Sequence, residues 1–242
     1  MKKIVLTGML SLLLALFGCG KNEAQPDVPD WVNDPRKSRT ETELTELGIP
    51  INRWLPLVES EDEVLIRDSK DVATRAAVLY AVAAIGHGGD REAIRRFLEV
   101  EGLWGAVTPN EKILFEGDDP PGQAIIDASW RAEALWALLW ALGKVDTLDI
   151  PKGQCDAGHV HKVMPGKGEV AAFINSATLR PKSEILDETD RIYRIHWAVR
   201  DAQINGKPIP AGLNSGVVVE RHFALNWLTW YADEWDEVTT DT

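Results

Sequence analysis

The 242-residue chain is 45% hydrophobic and 26% charged, the balance of a soluble globular protein with ample length to bury a core. Its formal net charge of -12 argues against nucleic acid as a partner, because phosphate binding takes clustered Lys and Arg and no basic stripe is present. With only two cysteines, Cys19 and Cys155, the fold cannot rest on a framework of disulfides.

The first element is a targeting segment. Lys2 and Lys3 precede an apolar run over residues 4–17, too short to span a bilayer, which takes about 20 residues. Leu16-Phe17-Gly18-Cys19 resembles the bacterial lipobox, where a small residue precedes a cysteine that becomes lipidated; Phe17 is bulkier than the usual residue. A secretory signal with a chance cysteine is the alternative. The lipobox implies removal of residues 1–18 and acylation of Cys19, each buried methylene holding the protein to its membrane by about 0.8 kcal/mol. Gly20, rather than Asp, resembles the sorting pattern of outer-membrane lipoproteins. Residues 19–39, with Pro26, Pro29 and Pro35, read as a flexible tether carrying a domain over residues 40–242 that faces the periplasm or exterior.

Helix signals then follow one another. Thr40-Glu41-Thr42-Glu43 reads as a capping box for a short helix that Gly48 ends. Ser69 is expected to cap a long helix stopping at Gly86, and Asp90 one closed by Gly102. Thr108-Pro109-Asn110-Glu111 joins a capping box to a proline at the first helical position. Trp130 to Gly143 reads WRAEALWALLWALG, apolar on every side from Ala134 to Leu142, which marks a buried central helix. Residues 144–167 form a long loop rich in Gly and Pro. A modest helix over residues 169–177 comes next, then a long one opened by Ser183 and a last one over residues 216–231. An acidic tail occupies residues 233–242. No sustained strand alternation occurs, so the expected class is all-α, a single globular multi-helix domain.

Several landmarks carry a family resemblance. They include Trp130-Arg131-Ala132-Glu133-Ala134-Leu135-Trp136, Ile185-Leu186-Asp187, Tyr193-Arg194 and His196-Trp197-Ala198-Val199-Arg200-Asp201-Ala202. Glu220-Arg221, Ala224-Leu225-Asn226-Trp227-Leu228, Trp235-Asp236 and Thr240-Asp241-Thr242 complete the set. Together they resemble the bacterial family catalogued as domain of unknown function 4272, over residues 41–242. The resemblance implies fold and boundaries and no activity.

Charged and polar residues set in Trp-rich helices are the first candidate site: Arg131, Glu133, Arg194, Arg200, Asp201, Glu220, Arg221, Asn226, Asp236 and Asp241. Buried charge must be paired, so they form either interhelical ion pairs or a polar pocket. As a pocket, Arg131, Arg200 and Arg221 would receive an anionic or sugar-like ligand, and Glu133 with Glu220 would act as acid and base on a glycan. Cys155, His159 and His161 are the second candidate, three potential metal ligands in one loop without a fourth. His196 and His222 read as packed histidines, and no cofactor motif is present. Trp136 with Trp140, and Trp227 with Trp230, read as core rings whose indole N–H groups seek partners. The sequence supports a lipid-anchored binding or protein-interaction module of the cell envelope, with an envelope hydrolase as the alternative.

Overall fold

The computed structural model describes residues 29–117 and 120–242. The expected signal segment, Cys19 and the tether up to residue 28 lie outside the described residues. Among the described residues the chain forms nine α-helices and short 3-10 turns with no strand. None of these helices is long and apolar enough to cross a membrane.

The helices are α1 (Pro35–Glu46), α2 (Ser69–Gly86), α3 (Arg91–Val100), α4 (Pro109–Lys112), α5 (Gly122–Ala141), α6 (Ala157–Val163), α7 (Val170–Asn175), α8 (Lys182–Ile204) and α9 (Ser215–Leu228). Helix α5 is the centre. From Ala134 to Leu142 every residue is buried except the half-buried Trp136. Helix α2 packs along one side of α5 and α9 along another; α8 lies on α9, α1 on α8, and α3 and α7 on α2. Leu135, Leu138 and Leu139 are fully enclosed by this arrangement, each removal from water contributing roughly 1.5–3 kcal/mol.

The α2–α5 approach depends on one glycine. A Cβ built on Gly86 would stand 2.2 Å from the Ser129 backbone nitrogen of α5, so only hydrogen fits.

Several boundaries differ from expectation, each for a local reason. Helix α1 starts at Pro35, not Thr40: the Asp34 side chain accepts from the amides of Arg36 (2.9 Å) and Lys37 (3.1 Å), with proline preset at the first position. Thr40 sits inside that helix. The packed domain therefore begins within the expected tether, and Val32 and Lys37 are buried. Asp68 rather than Ser69 caps α2, while Asp90 caps α3 and the Thr108–Glu111 capping box forms as expected. Helix α5 starts at Gly122, eight residues ahead of Trp130. The Gly/Pro-rich loop carries α6, capped by Asp156. Helix α8 begins at Lys182 without a side-chain cap, and α9 is capped by Asn214 and ends at Leu228. The acidic tail folds back, burying Trp235 and Val238.

Gly86→Ala is expected to destabilise the domain by about 1–3 kcal/mol through overpacking. Gly153→Ala opens into free space and should change little. Urea midpoints of the two variants measure the contrast.

Candidate functional site

The ten charged and polar residues separate into distinct groups. Glu133 and Arg221 are sealed: their side chains lie 3.3 Å apart and both residues are buried. The other Glu133 oxygen accepts from the Cys155 amide at 2.6 Å, and Arg221 donates to the Asp149 carbonyl at 2.8 Å. Arg194 belongs to another buried network, where Asp190 receives it at 2.6 and 3.0 Å and Glu41 of α1 stands 3.7 Å away. Lys37 joins it, donating to the Arg53 and Leu55 carbonyls; burial and the nearby Arg194 push its amine down. This network fastens α1 to α8.

Three residues act locally. The Asp201 side chain accepts from Asn205 at 2.9 Å, Asp236 from the Asn110 amide at 3.0 Å, and Asn226 donates to the Thr239 carbonyl at 2.9 Å. The last two tie the tail to the body.

Arg131, Glu220, Arg200 and Asp241 are brought together. They line a cavity of about 660 Å³, open to solvent, between α5, α8, α9 and the tail. Arg131 Nη1 bridges both Glu220 oxygens at 3.0 and 3.1 Å, while burial pushes the Glu220 carboxyl up against the opposing pull of Arg131. Trp130 lines the same wall. Its ring packs on Gly216, where a Cβ would lie 2.7 Å from the Trp130 Cζ3 atom, so the glycine makes room for the ring.

Two histidines form the back of this site. Nδ1 of His196 lies 2.8 Å from Nδ1 of His222, with the rings edge to face. His196 lines the first cavity and His222 a second one of about 460 Å³ beside Tyr193, Asn226 and Trp230. Asp241 lines both cavities. Burial pushes the His196 imidazole down to about 4, aided by Arg200, and the His222 imidazole down to about 3, aided by His196. Nε2 of His196 is buried and has no hydrogen-bond partner among the described residues. A pairing across 26 positions leaves no mark in sequence, and here both rings were expected only to pack.

The Cys-His loop does not converge. His159 Nε2 is 3.0 Å from the Lys144 carbonyl, whereas His161 Nδ1 is 2.7 Å from the Tyr80 hydroxyl on α2. Two positions apart on α6, the rings diverge by about 200° around the helix. Cys155 lies against Ala132, its thiol pushed up to about 12 by burial and by Glu133, which keeps it protonated. Among the described residues no group of three or more His, Cys, Asp or Glu side chains is placed to hold a metal ion.

A family model described as Domain of unknown function (DUF4272) matches residues 36–238. The chain belongs to this family. No curated protein and no solved structure matches it significantly. The DUF4272 match begins at Arg36, in agreement with the Pro35 start of α1 rather than with a boundary at residue 40. Trp130, Arg131, His196, Arg200, Glu220 and Asp241, all from motifs that carry the DUF4272 resemblance, meet at the first cavity.

The histidine pair gives this DUF4272 domain an acid-sensitive component. Free histidine takes a proton near 6.5, so below that pH the unfolded chain binds protons that the folded chain refuses. Stability from the pair is complete above about 6.5 and falls toward pH 4, by roughly 1.4 kcal/mol per pH unit for each histidine. Urea midpoints measured from pH 7 to 4 should fall more steeply for the wild type than for the double variant His196→Gln, His222→Gln. Equal slopes would contradict the neutral pair.

Proposed function

We propose that the protein is a non-enzymatic binding module, displayed on a lipidated tether in the bacterial envelope, whose ligand occupies the cavity between α5, α8 and α9. The observation that carries this reading is the meeting of six landmark residues, drawn from three helices and the tail, on one solvent-open cavity of about 660 Å³. Its size falls within the usual range for small-molecule sites, about 300–1,000 Å³. Its wall is mixed: a Trp130 ring, a guanidinium–carboxylate pair, the exposed Arg200 and a buried imidazole edge. Binding sites combine ring surface and a few oriented polar groups in this way.

The hydrolytic alternative needs Glu133 and Glu220 in one cleft as acid and base. Glu133 is enclosed by Arg221 and the Cys155 amide, and Glu220 is held by Arg131. That geometry favours binding over hydrolysis. It also moves Arg221 out of the expected ligand shell, leaving Arg131 and Arg200 at the cavity.

A thermal-shift panel of amines, amino acids, sugars and organic acids tests the pocket. A ligand at about 100 times its Kd adds about 2.7 kcal/mol of stability. Val219→Trp fills the cavity and should abolish that stabilisation while the variant itself stays folded, and Arg200→Ala should weaken it. Arg221→Ala, by contrast, strips one partner from a buried pair and is expected to cost about 3–5 kcal/mol of stability. If no panel member stabilises the wild type, or if Val219→Trp responds equally, the pocket reading fails.

Anchoring has an independent test. Cys19→Ser should release the protein from the membrane fraction into the soluble envelope fraction. Retention of a processed but unlipidated form would contradict the lipobox reading, with its expected outer-membrane address.

A further inference from the structure

Six of the described helices end the same way. The residue beyond the cap turns left-handed and donates back to a helix carbonyl, and the next residue donates to the carbonyl one position earlier. In α1, α2, α3, α5 and α8 the left-handed residue is glycine: Gly48, Gly88, Gly102, Gly143 and Gly206. In α9 it is Trp230, at φ 58°, its amide 3.2 Å from the Trp227 carbonyl and the Tyr231 amide 3.0 Å from the Asn226 carbonyl. A bulky side chain in that conformation costs free energy that glycine avoids. Such strain concentrates at functional sites.

The Trp230 ring stands on the wall of the second cavity, the space of about 460 Å³ between α8, α9 and residues 57–64. Buried Arg67 covers one face of the ring, 4.0 Å from its centroid. The ring is nevertheless 41% exposed, so packing uses only one of its faces. Leu57, Val64 and Leu186 continue the apolar wall. The polar part is rich in acceptors, and no Lys or Arg is among the described residues that line it. The Thr189 and Thr229 hydroxyls donate to the Ile185 and Leu225 carbonyls, at 2.8 and 2.9 Å, which leaves only their lone pairs for a ligand. Glu59 and Asp241 add carboxylates. The Tyr193 hydroxyl is hydrogen-bonded to no described residue and is not enclosed, so it is free both to donate and to accept.

These features select by charge and shape. An anion would meet two carboxylates and no cation. A cation stacked on Trp230 would face the Arg67 guanidinium through the ring. A wholly apolar ligand would cover the Tyr193 hydroxyl and strip its hydration without replacing it. A pyranose ring meets every requirement: its C–H face lies on an indole and its hydroxyls donate to the surrounding acceptors. We propose that the second cavity is a carbohydrate site, in which a neutral pyranose ring stacks on Trp230 and hydrogen-bonds to Tyr193 and the carboxylates. The site does not depend on what the first cavity binds.

Saturation-transfer NMR and tryptophan fluorescence test it with the methyl β-pyranosides of glucose, galactose, mannose and N-acetylglucosamine, titrated into the wild-type protein. At least one of them should bind, and more tightly than glucosamine or glucuronate, which place a charge on the same ring. Trp230→Gly should fold, since glycine closes five other helices of this chain by the same bonds. It should weaken the best pyranoside by about tenfold, equivalent to about 1.4 kcal/mol. Trp230→Tyr keeps a ring and should retain binding, whereas Tyr193→Phe removes only the hydroxyl and should weaken it by about fivefold. Val219→Trp, which fills the first cavity, should leave pyranoside binding unchanged. A sugar lost in Val219→Trp and kept in Trp230→Gly belongs to the first cavity and overturns the assignment. So would no binding by any neutral pyranoside, tighter binding of glucosamine or glucuronate, or undiminished binding in Trp230→Gly. If Trp230→Gly fails to fold, undiminished binding in Tyr193→Phe overturns it.

Discussion

A helix without a polar face can exist in water only if other elements cover every side of it. Helix α5 imposes that constraint from Ala134 to Leu142, and the bundle is the answer to it. Helix α2 reaches contact range because Gly86 has no side chain, α9 covers another side, and α8 and α1 close in behind α9. The charged residues at the entrance of α5 then have their fates decided by rotation. Arg131 and Glu133, two positions apart, point about 200° away from each other. Their partners Glu220 and Arg221 are consecutive on α9 and diverge by about 100°. One pair consequently falls at the rim of a cavity and the other beneath the surface. Two chemically similar ion pairs are thereby given different surroundings by helical geometry alone.

The tryptophans follow a related logic. Their ring faces meet guanidinium groups more than their indole N–H groups meet acceptors. Arg67 stands between Trp227 and Trp230, 4.3 and 4.0 Å from the ring centroids, and donates to the carbonyls of Trp227, Ala232 and Asp233. Arg180 lies over Trp140 and caps the end of α5 by donating to the Trp140 carbonyl. The Trp235 N–H is buried without a hydrogen-bond partner among the described residues, while Arg75 and Arg131 lie over its ring. Cation–π contacts contribute roughly 0.5–2 kcal/mol each, more as they are desolvated, so these arginines join segments distant in sequence at some energetic gain.

The central helix and the all-α class were legible because an unbroken apolar stretch bounded by glycine is stable in water only at the centre of a bundle. Helix α6 was not, since seven residues among glycines and prolines form a helix only once Asp156 caps them and Val160 finds the core. The start of α1 was hidden by the tether composition, although Asp34-Pro35 carried a start signal that could have been read. The site was half legible. Arg131, Arg200 and Glu220 stood out as charges on largely apolar helices, but whether each was open or enclosed depended on helix rotation, which periodicity over so apolar a stretch does not resolve; Asp241 reaches the cavity only because the tail folds back. His196 and His222 drew the least notice, because a pairing between separate helices has no spacing rule.

Asp241 lines two neighbouring cavities, and the contact between His196, on the wall of one, and His222, on the wall of the other, joins them. A charge placed on one side acts on the same carboxylate and the same ring pair that face the other. If both spaces take ligands, this shared wall links them, and thermodynamics requires the link to be reciprocal: whatever the first does to the affinity of the second, the second does equally to the first.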